Sequence, residues 1–428
     1  MKKCVVIGGG LAGLSAAVFL ADSGFKVEVI EASPKLGGRT YSLPDKSTSD
    51  IIDNGQHILM GCYKDTLDFI RLIKAENNFI FQEQLNVNFL KENFEIFQLK
   101  ANNLIYPFNL LSALLSYKAI SLTNRIKLLK FFAKLFFYPD NSLNKLTVYQ
   151  WLEQENQTEE LIKSFWGILC VGALNTNINK ASAKVFSDIL KRIFFSGSKA
   201  AAVILPRFGL SESFCDYSKK FIEERSGCIS LLEPVDEIIA NGEKIVSIKT
   251  NKREITGFDY AVSAVPYLML RNILGKNAGI LKDIDFNYST IVSIHIWLKE
   301  NKLTEDSDFY GLIDSPVHWV FNHKSHLSLV ISDANELADT PKEEIFNIAA
   351  LQLEKYLGIS KDNIISYKII KEKRATFIPS NEILYKRPNP YTVLKNFYLA
   401  GDWINTGLPS TIESAVKSGK MVSELING

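Results

Sequence analysis

KCVVIGGGLAGLSAAVFLADSGFKVEVIEAS, residues 3–33, decides the fold. A short apolar run (residues 4–7) suits a strand buried on both faces. Gly8, Gly10 and Gly13 follow with GxGxxG spacing: the first for a tight turn, the second for close backbone approach to a pyrophosphate, the third for helix–strand packing. Leu11 to Ala21 are good helix formers without proline, and Gly24 ends the run. Lys26–Ile30 reads as a second strand, and Glu31 stands about 20 residues after the glycines, where a carboxylate reaches ribose hydroxyls. Strand, helix, strand and acid all stand in the required order, so we expect a Rossmann-like dinucleotide domain in an α/β protein.

Leu36-Gly37-Gly38-Arg39 runs on directly, a second glycine pair able to bring N–H groups to the same pyrophosphate, with Arg39 adding charge. This resembles the FAD-dependent amine oxidases, phytoene desaturases and their relatives, in which the second motif belongs to FAD. The far end agrees. Residues 397–426 read as a strand, Gly401-Asp402, a loop and a helix beginning near Ser410, with Ser410 or Thr411 and Glu413 as a capping arrangement. Ala415, Gly419 and Val422 give that helix a small packing face. The resemblance implies that Asp402 binds the ribityl chain and that this helix N-terminus faces the flavin pyrimidine edge, where reduced flavin carries negative charge. Residues 229–250 read as two strands joined at Asn241-Gly242, and 258–266 as a buried strand ending at a proline. Val235 matches the position whose backbone touches adenine in the relatives.

The FAD domain is therefore expected in three pieces, 1–85, 225–275 and 385–428. Inserted between them, 86–224 and 276–384 form a substrate domain of mixed sheet and helices. Residues 86–224 look mostly helical, and 288–299, 317–322, 327–332 and 365–371 look like strands. A helix over 341–357 has Thr340 as N-cap, Pro341 in first position and Gly358 at its end.

Composition limits the function classes. The 428 residues, 46% hydrophobic, can bury a large core; 49 Lys and Arg against 47 Asp and Glu leave +2, no whole-protein pull toward nucleic acid. Five scattered cysteines without a CxxC pair suggest neither disulfides nor a zinc site and fit a reducing compartment. No stretch reads as a signal peptide or has the ~18 uninterrupted apolar residues of a transmembrane helix. We expect a cytoplasmic protein, peripheral at the cytoplasmic membrane. The membrane element of that reading comes from 106–138, inside a 44-residue acid-free stretch between Glu95 and Asp140. In NRIKLLKFFAKLFFYP (124–139), Lys127, Lys130 and Lys134 share one helical face while Ile126, Leu129, Phe132, Phe136 and Phe137 occupy the others. Either the helix lies on an anionic bilayer, or the aromatics enter the core beneath a solvated lysine face.

DNGQHILMGCY (53–63) and its continuation KDTLDFIRLI resemble the squalene-associated FAD-dependent desaturase group. So do LCVGALNT (169–176), ASAKVFSDIL (181–190), LPRFGLSESF (205–214), VHWVFN (317–322) and AGDWINTGLPSTIESAVKSG (400–419), which together span nearly the whole chain. The resemblance implies FAD as cofactor, an unidentified electron donor to reduce it, and reduction of the allylic alcohol hydroxysqualene to squalene. It implies cofactor contacts at Gly8, Gly10, Leu11, Ala12, Gly13, Glu31, Ala32, Gly37, Gly38, Arg39, Gly55, Val235, Gly401, Asp402, Ser410, Thr411 and Ile412. It also places the Asp53–His57 turn beside the reactive face of the flavin, with Gln56 part of it. His57 either protonates the leaving oxygen or orders the turn; Asp53 is the alternative turn-fixing residue. Arg207 binds an anion or caps a helix. His318, His323 and His326 span strand, loop and strand and are not read as a metal site. An oxidative carotenoid or isoprenoid desaturase, an amine oxidase with Trp403 as cage, and a flavin-free lipid carrier are the competing readings.

Overall fold

The structure is a computed structural model and describes residues 1–428 except 140, 141, 302 and 304–306. Asp140, which closes the acid-free stretch, lies outside the described residues.

Five strands form an all-parallel sheet in the order Cys228–Ser230, Lys26–Ile30, Lys3–Ile7, Tyr260–Ser263, Phe397–Leu399. It is thus assembled from three distant stretches of chain. Both faces are covered, as the unbroken apolar run at 4–7 demands. Cys4, Val6, Val27 and Val29 pack under helices Leu11–Asp22 and Ile412–Asn427. Val5, Ile7 and Ile30 pack beneath the hairpin Val235–Asn241/Lys244–Thr250 and helix Tyr267–Leu274. Each such fully buried aliphatic side chain contributes about 1.5–3 kcal/mol. The terminal helices cross closely at Gly419, where a Cβ would stand 2.2 Å from Ser15 Oγ.

The second sheet has seven strands: Ile364–Phe377, Tyr288–Leu298, Leu327–Ile331, Trp319–Asn322, Phe309–Leu312, Asn86–Lys91 and Glu95–Lys100. It is mixed, with the Phe309–Leu312/Asn86–Lys91 pair parallel and the other pairs antiparallel. Period-2 alternation splits its long central strand Tyr288–Leu298. Val292, Ile294 and Ile296 pack with Ile345, Ala349 and Leu353 of helix Lys342–Leu357. Ser293, His295 and Trp297 therefore point to the opposite face.

Two readings of the inserted part need correction. Residues 86–224 are not only helical: Asn86–Lys91 and Glu95–Lys100 form a hairpin at the sheet's edge, and Val203–Pro206 pairs with Leu59–Met60 and Phe79–Phe81. The alternation in NVNFLK, with Val87 and Phe89 buried, is the signal that the surrounding helical pattern obscures. The aromatics of helix Leu122–Phe136 also divide in two. Phe132 joins Phe131, Trp151 and Trp166 in the helical core, and Leu129 packs partly against it. Ile126, Phe136 and the following Phe137 remain exposed. Among the described residues no helix is long and apolar enough to cross a membrane.

Candidate active site

The two glycine motifs stack against each other. Gly8 has φ +104°, and a Cβ on Gly13 would stand 1.9 Å from the Gly8 carbonyl oxygen, so neither position tolerates a side chain. Gly37 N–H donates to Gly9 O (2.8 Å), and Gly10 lies against Gly38. Helix Leu11–Asp22 starts at Gly10 with no side-chain cap, so its first N–H groups remain for an anion. Glu31 accepts from the backbone N–H groups of Gly9 (2.6 Å) and Ser33 (2.7 Å), which fixes its carboxylate at the mouth of the glycine turn. Exposed Ala32 follows it. Glu31 also exchanges backbone hydrogen bonds with Ser230 and Glu233, which brings the segment leading into Val235 alongside.

The C-terminal side completes the cradle. Asp402, 5% exposed, receives Arg39 Nη2 at 2.6 Å and the hydroxyl of Ser410. Burial raises its pKa, but the Arg39 charge and hydrogen bond outweigh that and hold it below the usual carboxylate range. Gly401, with φ +147°, donates its N–H to Ser418. Thr411 caps helix Ile412–Asn427 by accepting from Ser414 N–H (3.1 Å), and Ile412 is that helix's first residue. Glu413 is not part of this cap. Its carboxylate crosses to helix Lys64–Leu72 and accepts from the backbone of Asp65 and Thr66 and from the Thr66 hydroxyl.

The Asp53–His57 turn is tied down from several directions. Asn54 donates to Arg39 O (2.7 Å), linking the turn to the second glycine motif. Asp53 Oδ1 accepts from Ser42 Oγ (2.6 Å) and Leu210 N–H (2.9 Å), and burial pushes the carboxyl up to about 6. Its main-chain carbonyl accepts from His295 Nε2 (3.0 Å), and His295 Nδ1 in turn accepts from Ser328 Oγ (2.8 Å). Burial, with His326 nearby, lowers the His295 pKa to about 3, so the ring is neutral and its Nε2–H tautomer is fixed by these two bonds. His57 Nδ1 donates to Gly55 O (3.0 Å); burial also lowers its pKa, so at neutral pH its Nε2 is an acceptor.

These positions can be set against known proteins. The model of the family described as flavin containing amine oxidoreductase matches residues 11–427. The chain belongs to this family. It is 29% identical to hydroxysqualene dehydroxylase of Rhodopseudomonas palustris, over 100% of this chain and 99% of that protein. To the Zymomonas mobilis protein of the same name it is 26% identical, over 99% of each. An oxidoreductase structure from Methanosarcina mazei superimposes with a TM-score of 0.77 at 18% identity, covering 99% of this chain and all of that one, a likeness of fold.

The chain is an FAD-dependent oxidoreductase, and its residues fit that cofactor. The uncapped helix start, the stacked glycines and the Arg39–Asp402 pair form a cradle that side chains would fill. Ser263 Oγ, buried at the strand end beside Gly8, has no partner among the described residues. Trp403 is no cage residue: its indole donates to Val265 O (3.1 Å) and packs on Tyr267 in the core. Arg207 is exposed, with no side-chain hydrogen bond or ion pair among the described residues. His323 and His326 stack on each other, His318 accepts from Ser332 N–H, and no metal-holding cluster occurs among the described residues.

Two supporting residues carry no motif. Arg387, 4% exposed, donates to the carbonyls of Asp402 (2.9 Å), Leu408 (2.6 Å) and Ile404 and so knits the loop around Asp402. Burial lowers its pKa to about 10, and it remains a cation at neutral pH. His295 supports the turn from the second sheet. Its signal in the sequence is weak, one histidine in a strand that also buries Ser289, Thr290 and Ser293.

Proposed function

We propose that this protein reduces hydroxysqualene, an allylic triterpenoid alcohol, to squalene. The observation that carries the reading is the end-to-end likeness to two proteins of that named activity, running through the Asp53–His57 turn as well as the cofactor cradle. The balance is alcohol plus FADH2 to hydrocarbon, FAD and water. Reduced FAD supplies the hydride that forms the new C–H bond.

The chain's own residues position, protonate and keep water out. The titratable groups of the turn suit an uncharged substrate: His57 is held neutral, and Asp53 is lifted toward neutrality. Asp53 and His57 are the two titratable groups of the turn, and the pH dependence of the reaction tells which of them supplies the proton. On the second sheet Phe89, Phe309, Phe321 and Trp319 pack as one aromatic cluster. An oxidative desaturase would share these elements but would run the flavin in the opposite direction.

A bilayer is the source of so apolar a substrate. Leu104, Ile105, Phe108, Ile126, Phe136 and Phe137 are 45–81% exposed. Two of the segments that carry them meet at the end of helix Ala183–Phe195, where Tyr106 bonds Phe194 O and Phe136 packs on Phe195. With Lys127 and Lys130 on the same helix, this surface docks on an anionic membrane, its apolar side chains in the acyl boundary.

The deciding experiment is anaerobic. Photoreduced, FAD-loaded protein is mixed with hydroxysqualene, flavin reoxidation is followed, and the extracted lipid is identified by mass spectrometry. Squalene in stoichiometry with reoxidised flavin is the expected result; recovered alcohol with flavin still reduced rejects the reading and leaves the desaturase.

A further inference from the structure

Two buried polar atoms at the Asp53–His57 turn lack any partner among the described residues: Nε2 of Gln56 and Oγ of Ser293. Native proteins seldom leave such groups unpaired, so each requires an account. Ser293 is 1% exposed and sits on the central strand Tyr288–Leu298, on the same face as His295 two residues on, whose ring holds the carbonyl of Asp53. Its cross-strand neighbours, Val330 and Ile370, bring only apolar side chains. Over it stands Gly55: a Cβ built there would meet Ser293 Oγ at 3.6 Å and no other atom within 4 Å outside the adjoining residues. The glycine thus leaves room for a small group over the serine hydroxyl, and the unpartnered Gln56 amide belongs to the next residue of the turn.

We propose that Ser293 and Gln56 form the seat for the single oxygen of an otherwise hydrocarbon substrate, the allylic hydroxyl. This rests on the alcohol-reduction reading above. The Gln56 amide donates to that oxygen, and Ser293 Oγ accepts the substrate O–H before reaction. As the C–O bond breaks, charge grows on the departing oxygen, and both groups then serve it as donors until it takes up a proton and leaves as water. The hydride equivalent from reduced FAD forms the C–H bond, so atoms and electrons balance. Donors aimed at developing charge in a water-poor site stabilise that stage more than the ground state. A seat built for a hydroxyl also discriminates against a ligand without one far more strongly than an apolar pocket discriminates by size. Neither residue is charged, which suits a neutral alcohol and gives an ammonium group no counter-charge.

The test compares two ligands that differ by this oxygen. With oxidised, FAD-loaded protein in detergent micelles, binding of hydroxysqualene and of squalene is titrated by perturbation of the flavin spectrum for wild type, Ser293→Ala, Gln56→Leu and Ser293→Thr. Each of the first two variants should bind the alcohol about tenfold more weakly, the loss of one hydrogen bond. Squalene binding, flavin content and the ligand-free spectrum should be unchanged, and Ser293→Thr, which keeps a hydroxyl, should recover affinity for the alcohol.

Equal losses for both ligands would mean a packing role and overturn the proposal. A changed ligand-free spectrum or lost flavin would make the pair partners of the cofactor, and unaltered alcohol affinity would leave them solvated by water; either also overturns it. The two readings separate cleanly. Wild type that prefers the alcohol through Ser293 and Gln56 but does not reduce it keeps the seat and loses the reaction, whereas reduction of the alcohol equally well by wild type and both variants keeps the reaction and loses the seat.

Discussion

The cofactor cradle and the Asp53–His57 turn lie side by side and are linked through Asn54 and Arg39, yet they are held by opposite means. The glycine half of the cradle is held by what is missing: Cβ atoms at Gly8, Gly10, Gly13, Gly37 and Gly38, whose absence lets backbone meet backbone within residues 8–40. The turn is held by what arrives from elsewhere. Ser42 comes from the adjoining strand, and Leu210 and His295 from stretches 157 and 242 residues away, each with a single hydrogen bond. The difference shows that a ligand-binding surface of bare backbone can be specified locally, whereas a reactive surface of oriented side chains needs support from the whole fold.

The sharpest way to break the cradle is Gly13→Val. With a Cβ already 1.9 Å from the Gly8 carbonyl oxygen, the helix must move away from the strand. We expect loss of bound flavin and of most folded protein, read as flavin absorbance per chain and far-UV circular dichroism. Arg387→Met comes next. It removes a buried cation from the carbonyls around Asp402 and should cost about 3–5 kcal/mol in urea denaturation, with flavin lost before global unfolding.

Asp53→Asn addresses the turn through pH. The folded carboxyl is raised to about 6 from the ordinary 3.8, so the native state binds the proton more tightly than the unfolded chain does. Wild type should therefore lose on the order of 2–3 kcal/mol as pH rises from about 4 through about 6; this slope should flatten in the variant, which can still accept from Ser42 and Leu210. If Asp53 is the proton source, the rate of flavin reoxidation by the alcohol should also fall above pH 6 in wild type, and Asn should remove that limb. An unchanged pH–rate profile would assign the proton to another donor. The smallest change in stability, within about 0.5 kcal/mol, is expected of the double variant Phe136→Ser, Phe137→Ser. Its sedimentation with phosphatidylglycerol vesicles should nevertheless drop well below that of wild type, and equal sedimentation would remove the docking surface from the account.

The same contrast explains what could be read without coordinates. Strand, glycines, helix, strand and acid follow one another from Lys3 to Glu31, and each announces itself by residue type and spacing, so the nucleotide fold was legible. His295 and Arg387 were not. Their roles depend on which strand comes to lie beside Asp53 and which loop closes over Asp402, neither of which any local pattern encodes. Glu413 shows the intermediate case: an acid two residues after Thr411 reads as a local cap, but its side chain satisfies a different helix 347 and 348 residues away in sequence. The hairpin over 86–100 was missed for a third reason, a period-2 pattern only six residues long beside much longer helical ones.

That reach of Glu413, together with Gly419 seated on Ser15 and Phe397–Leu399 closing the edge of the first sheet, has a consequence for how the chain is made. Strand Lys3–Ile7 and helix Leu11–Asp22 leave the ribosome long before their outer cover, helix Ile412–Asn427. During synthesis the glycine cradle must wait, with one face of its first helix bare, until residues 397–426 emerge, while the seven-stranded sheet can complete itself from residues 86–377. Non-local closure of this kind is slow and leaves apolar surface open to wrong partners. The protein should therefore depend most on chaperones once residues 1–396 are made, and flavin should be able to enter only after helix Ile412–Asn427 has docked.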